Sequence, residues 1–363
     1  MEVKEIKIDG HLIGPSHPPY IVAEMSGNHN GDIGRAFQIM EAAKKAGAHA
    51  VKIQTYTADT ITLDHDGPEF FIEGGLWDGK KLYDLYKWAH TPWEWHEALF
   101  GKGKELGLAV FSTPFDDTAV DFLEDLNSPA YKIASFEAID LPLIAKVAAT
   151  GKPMIISTGM ATFDEICEAT ETARDSGCGG LVLLHCVSGY PTSVEDSNLR
   201  TIPDLAEKFG VIAGLSDHTL GPAVPVAGVA QGACLIEKHL TLKRSDGGPD
   251  AAFSLEPEEL EKLCGGCVQA WESLGCVNYD IKLSEDHNQI FRRSIYVVED
   301  ISSGEELTTK NIRSIRPGNG LHPKELPNVL GRHALNNMKR GTGLQWEDIS
   351  STGAESGESQ KSD

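Results

Sequence analysis

No run among the 363 residues approaches the roughly 20 apolar positions of a membrane span. The opening MEVKEIKIDG also lacks the apolar core of a secretory leader, so a cytoplasmic protein is the expectation. Positive charge is scarce: 32 Lys and Arg stand against 54 Asp and Glu, a formal net charge of −22. Such a surface repels phosphate backbones and anionic headgroups, which argues against nucleic acid and membranes as partners. A small anion still fits, provided a cleft gathers cations and N–H donors. Cysteines are few and odd in number, seven in all, which suits reduced thiols rather than a disulfide framework. Cys264 and Cys267 form one C-x-x-C, but in a helical pattern and with no second pair to complete a four-ligand zinc site. No Walker motif is present. With 40% hydrophobic and 24% charged residues, the composition is that of an ordinary globular chain of two or three domains.

What is present is alternation. From residue 20 onward, short β-branched runs alternate with longer amphipathic ones, the pattern of parallel strands joined by crossover helices. The expected strands are Tyr20 to Met25, Ala50 to Thr55, Ala109 to Pro114, Ala130 to Ser135, Pro153 to Thr158, Leu181 to Val187, Val211 to Asp217 and Cys234 to Leu240. Eight such units over roughly 250 residues predict a (β/α)8 TIM barrel. The barrel is expected to span residues 1–275, followed by a linker at 276–290 and a small, loop-rich domain at 291–351. The polar end, 352–363, reads as a disordered tail. The 291–351 segment carries nine Lys and Arg against seven Asp and Glu, so it is slightly basic beside an acidic barrel.

Polar residues recur at the C-terminal ends of otherwise apolar strands: Glu24, Lys52, Gln54, Thr113, Lys132, Ser135, Ser157, Asp217, His218 and His239. In a barrel those ends converge on one mouth, where this fold places its active site. Parity puts Lys52 and Gln54 on one face and Val51 and Ile53 on the other. Lysine within a buried parallel strand is costly unless paired, and it occurs in both AVKIQT and AYKIAS. Either the ammonium groups snorkel to water, or they form an anion site with hydroxyls of Thr113, Ser135, Ser157, Ser188 and Ser216. His218 and His239 close neighbouring strands, and Glu24 stands across from them. A two-His, one-carboxylate set suits Mn²⁺ or a similar cation, with Asp217 and Asp250 as outer partners. Asn28, His29, Asn30 and Gly31 either cap a helix or shape the mouth. Glu137 is placed to act as a base or to position water, though an exposed loop glutamate is the commoner case. About 50 residues separate the second and third strands, far beyond an ordinary loop. Their aromatics, Phe70, Phe71, Trp77 and Tyr83, serve either substrate specificity or a satellite core.

The strings AEMSGNHNG, AVKIQTYTADT, FSTPFD, AYKIASFE, MIISTGM, HCVSGYPT, GLSDHT and EKHLT resemble the sialic acid synthase family. RSIYVV and RPGNGL resemble its C-terminal SAF, or antifreeze-like, domain. LWDGKKLYDLYKWAHTPWEWH resembles the pseudaminic branch rather than the N-acetylneuraminate or legionaminic branches. The resemblance implies condensation of phosphoenolpyruvate with an open-chain acylated amino sugar and water, releasing phosphate. For this branch the sugar is 2,4-diacetamido-2,4,6-trideoxy-β-L-altropyranose. It further implies a phosphoenolpyruvate pocket of Lys52, Thr113, Lys132, Ser135, Ser157, Tyr190 and Ser216. The implied metal site is Glu24, His218 and His239, for a divalent ion such as Mn²⁺, Mg²⁺ or Co²⁺. Gln54, Glu137, Asp250 and Arg316 would face the sugar, with Arg316 arriving from the partner subunit of a domain-swapped homodimer. Ser188 departs from the family pattern, where N-acetylneuraminate synthases carry Asn. Two rivals predict different behaviour. A Schiff-base aldolase would use Lys132 covalently, and a non-catalytic binding module would act through residues 291–351 alone.

Overall fold

A computed structural model describes residues 5–351; the expected tail at 352–363 lies outside them. The chain divides between Gly275 and Cys276 into two compact units. In the first, β1 (Ile6–Ile8) and β2 (His11–Ile13) form an antiparallel hairpin. Eight parallel strands follow: β3 (Tyr20–Glu24), β4 (Ala50–Thr55), β5 (Ala109–Pro114), β6 (Tyr131–Ile133), β7 (Pro153–Ser157), β8 (Gly180–Cys186), β9 (Ile212–Asp217) and β10 (Leu235–His239). They close as a barrel in the order β10-β3-β4-β5-β6-β7-β8-β9. The strand ends differ from the sequence expectation by at most two residues, the usual uncertainty of element boundaries, and β4 and β5 match it fully.

Two apolar layers hold the barrel. Val51 and Ile53 belong to an outer layer, with Ile21, Ala23, Val110, Ile133, Ile156 and Leu183, that packs under the helices. The lumen holds a second layer of Tyr20, Val22, Ala50, Phe111, Ile155, Val182, Leu184, Ile212 and Leu235. Ile6, Ile8 and Ile13 of the hairpin join this inner layer. Period-two alternation therefore sends one set of each strand's residues inward. Along most strands the inward set changes from apolar at the N-terminal end to polar at the C-terminal end. In β10, for example, Leu235 is followed by Glu237 and His239. Gly214 of β9 has no room for a side chain, since a Cβ there would stand 2.6 Å from Leu184 Cδ2.

The crossover helices start and stop where their caps dictate. Asp116 accepts from Thr118 N and Ala119 N ahead of Asp117–Asp125, and Thr162 with Glu165 forms a capping box ahead of Phe163–Asp175. Gly47, at φ 97°, ends Ile33–Ala46 in the left-handed region that favours glycine. Cys264 and Cys267 are buried, unbonded thiols on the inner face of Pro257–Leu274. That helix packs them against the barrel, which accounts for both as core residues.

The second unit has its own core of Ile295, Val297, Leu307, Ile312, Val329 and Leu344. Its strands β11 (Ser294–Val297) and β12 (Ile312–Ile315) pair antiparallel. His333, Ala334 and Met338 add isolated antiparallel bridges. Leu283–Phe291 winds as 3-10 turns within the stretch the sequence suggested as a linker.

Candidate active site

The polar strand ends surround a cavity of about 400 Å³, within the range of small-molecule sites. Lys52, Gln54, Lys132, Ser135, Glu137, Ser157, Tyr190, Ser216, His218, His239 and Asp250 line it. At its floor lies a buried charge cluster. Lys52 Nζ stands 2.6 Å from Glu24 Oε2 and 3.7 Å from Glu237 Oε1, while Lys132 Nζ stands 3.1 Å from Glu237 Oε1. Strand register places these groups together: Glu24 lies beside Lys52, and Glu237 beside Ser216. Ser216 Oγ donates to Glu237 at 3.2 Å.

Two carboxylates thus balance two ammonium groups away from water, which is what a buried lysine requires. Burial alone would raise the Glu237 carboxyl, but Lys132 and Lys52 override it and hold it at about 2. Lys132 is pushed below the usual lysine value by burial, against the pull of Glu237. Glu237 was not singled out from the sequence. Its signal was parity, because 235, 237 and 239 share the inward face of β10, and an acid there must meet the lumen lysines.

Several expected roles change. Glu24 does not turn to the histidines: Lys52 takes one oxygen, and Gln54 Nε2 donates to the other at 3.1 Å. Among the described residues, no three His, Cys, Asp or Glu side chains form a ready metal cluster. Asp217 points outward and pairs with buried Lys238, its register partner, so it is no outer partner of the site. Thr113 lies beneath the floor, where its hydroxyl accepts from Lys52 Nζ at 3.2 Å. Ser188 sits beside Ser135 with its hydroxyl near Tyr190, and Ser157 Oγ is a buried hydroxyl without a partner. Asn28 donates to Leu240 O and Ser254 Oγ and is fully buried, so it fastens the loop and does not line the mouth. Arg316 is exposed on the second unit.

The two histidines do come together, with ring centroids 5.4 Å apart. His218 Nδ1 lies 3.0 Å from Val187 O, a bond that leaves Nε2 as the lone-pair nitrogen. His239 Nδ1 is buried without a hydrogen-bond partner and lies 3.9 Å from Asp250 Oδ2. Burial and nearby cations hold His239 far below the ordinary histidine value, so it is a neutral imidazole. An orphaned imidazole nitrogen beside a second imidazole is a donor set that fits a borderline divalent cation. Asp250 in turn accepts from Ser26 Oγ, a contact the sequence did not flag. Ser26 has φ 44°, a strained conformation for a non-glycine residue that sets its hydroxyl toward Asp250.

Glu137 is no exposed loop residue. It lines the cavity, its Oε2 is buried without a partner, and burial raises its carboxyl to about 7. Such a group is protonated below neutrality and becomes a base as pH rises. The pH profile of kcat/KM should therefore rise through about pH 7, and Glu137→Gln should flatten that limb. An unchanged profile in the variant would remove Glu137 from the chemistry.

The NeuB family pattern matches residues 39–279. The chain belongs to the NeuB family. The SAF domain pattern matches residues 292–350, so this NeuB chain carries the barrel followed by an SAF domain. It is 44% identical over 330 residues to a pseudaminic acid synthase of Campylobacter jejuni, covering 91% of this chain and 96% of that protein. A pseudaminic acid synthase of Helicobacter pylori is 44% identical over 333 residues, 92% of this chain and 98% of that protein. Among solved structures, the N-acetylneuraminic acid synthetase of Leptospira borgpetersenii superposes with a TM-score of 0.71 at 31% identity. That match covers 79% of this chain and 95% of the Leptospira chain.

Proposed function

We propose that this NeuB protein is a pseudaminic acid synthase, condensing phosphoenolpyruvate with a 2,4-diacetamido-2,4,6-trideoxy-L-altrose and water to give pseudaminic acid and phosphate. The observation that carries the reading is the pair of buried ammonium groups, Lys52 and Lys132, at the floor of the cavity beside two imidazoles. Whole-chain likeness to pseudaminic acid synthases supports the sugar.

Phosphoenolpyruvate carries a phosphate and a carboxylate, and Lys52 and Lys132 balance that charge with short hydrogen bonds. The unpartnered hydroxyl of Ser157 is a donor awaiting an acceptor. A divalent cation, most simply Mn²⁺, would be held by His218 and His239 and would supply Lewis-acid polarisation of the sugar aldehyde. Attack of phosphoenolpyruvate C3 on the sugar C1 forms the carbon–carbon bond and leaves positive charge at C2. Water aligned by Glu137 adds there, and the C–O bond to phosphate then breaks. Glu137 takes one proton of that water and passes it to the alkoxide formed at the former aldehyde oxygen, and the second leaves with phosphate as C2 becomes the ketone. Asp250, oriented by Ser26, accepts from a sugar hydroxyl.

A homodimer fits the apolar rim of the barrel mouth, where Phe136, Ile139, Met160, Val194 and Leu220 are exposed on the loops after the strands. In the swapped arrangement Arg316 of one subunit serves the site of the other. No helix of the described residues is long and apolar enough to cross a membrane, and seven free thiols accord with a cytoplasmic setting.

The test is phosphate release with Mn²⁺ and three sugars offered separately: the altro diacetamido sugar, its legionaminic counterpart and N-acetylmannosamine. Release with the altro sugar alone is the expected result. Release with another sugar instead keeps the chemistry and overturns the branch.

A further inference from the structure

The cavity has two chemically different halves. Its floor holds the lysines, serines and histidines of the strand ends. Opposite, the long segment between β4 and β5 presents Ile61, Ile72, Trp77, Leu82 and Tyr86. Each of these five is only partly buried, so apolar surface faces the open volume rather than packing on itself. A satellite core would have covered these faces.

The segment is also tied in place. Ile72 N donates to Lys80 O at 2.9 Å and Gly79 N donates back to Ile72 O at 2.8 Å. Lys81 Nζ reaches Asp64 at 2.6 Å and Asp66 at 2.7 Å. Trp77 Nε1 donates to Pro249 O at 2.8 Å, which joins the wall to the residue before Asp250. That bond uses the indole's single donor, so Trp77 turns only carbon toward the cavity. Its ring lies 5.5 Å from that of Tyr190.

We propose that this wall selects the sugar by its methyl groups. The C6 methyl of a 6-deoxy sugar, and an acetamido methyl, lie against Ile61, Ile72, Trp77 and Leu82. A 6-hydroxyl at the same place loses its water and meets carbon instead of a hydrogen-bond partner. The inference rests on the condensing function proposed above and adds to it a basis for substrate choice. Because a hydrophobic pocket rejects an added hydroxyl only modestly, the preference for the 6-deoxy sugar should be about 10- to 100-fold in kcat/KM.

The experiment compares the 2,4-diacetamido-6-deoxy sugar with its 6-hydroxy counterpart, each with phosphoenolpyruvate and Mn²⁺. The parent chain is set beside Ile72→Thr/Leu82→Gln, which places polar groups in the wall. Leu82→Met, which keeps the wall apolar and close to the same volume, guards against a packing artefact. The expected result is a clear preference in the parent and in Leu82→Met, falling to under about threefold in the double variant. The loss should come through the sugar KM, with the KM for phosphoenolpyruvate unmoved. Phosphate release without discrimination in the parent, or discrimination retained by the double variant, overturns this proposal alone. No release from the parent with either sugar overturns the condensing function and this inference with it.

Discussion

Lys132→Met should lower phosphate release from phosphoenolpyruvate by about a hundred- to a thousandfold, the size of effect seen when one preorganised electrostatic donor is removed. The Lys132 side chain lies 2% exposed at the cavity floor. Its 3.1 Å contact with Glu237 holds it aimed before substrate arrives. A thousandfold loss corresponds to about 4 kcal/mol of transition-state stabilisation. Methionine keeps the length and apolar stem, so the melting temperature separates lost chemistry from lost fold. Turnover equal to the parent would show that Lys132 does not belong to the site. The same residue discriminates the aldolase rival. Burial pushes the Lys132 amine toward its neutral, nucleophilic form, so a Schiff base would be trapped by borohydride with a carbonyl substrate. A condensing enzyme that uses Lys132 only as a charge gives no adduct.

The barrel was legible because parallel strands buried on both faces read as apolar runs, and eight of them recur with helix-length spacing. Lys52 and Lys132 were legible for the opposite reason, as charges where a buried strand should carry none. The partners of those lysines were not. Glu24 lies beside Lys52 only because β3 and β4 are in one register, and Glu237 meets Lys132 across the lumen; neither relation is written in local spacing. The same gap explains Asp217. Its neighbour His218 faces the cavity, but strand parity sends Asp217 to Lys238 on the outside. Asp9-Gly10 between IKI and HLI is a strong hairpin signal, with φ 43° and 88° in the turn. Strands of three residues carry too little periodicity of their own, and unlike β6, equally short, these two lie outside the repeating strand–helix pattern. The wall between β4 and β5 is the least legible part. Its aromatics were visible, but whether they face the cavity or one another depends on the Trp77 bond to Pro249, 172 residues away.

Glu237→Gln should destabilise the barrel by about 3–5 kcal/mol near neutral pH, the usual cost of removing one partner from a buried ion pair. The carboxylate is the charge shared by Lys132 at 3.1 Å and Lys52 at 3.7 Å. Glutamine keeps the shape and removes that charge. Lys52 still has Glu24 at 2.6 Å, whereas Lys132 loses its carboxylate and sheds its proton more readily. The pH dependence fixes the sign. Glu237 is depressed from 4.5 to about 2 in the folded chain. Its contribution is therefore complete above about pH 4.5 and is lost as pH falls toward 2. The gap in unfolding free energy between parent and variant should be widest near neutrality and close on acidification. Inorganic phosphate supplies the contrasting measurement. In the parent, Glu237 competes with an anion for both lysines; in the variant, a bound anion takes over as the counter-charge that keeps Lys132 protonated. Phosphate should then raise the melting temperature of Glu237→Gln more than that of the parent. Equal stability, or an equal response to phosphate, would mean that the two lysines do not share Glu237 as their counter-charge and that the floor is not an anion site held ready by it.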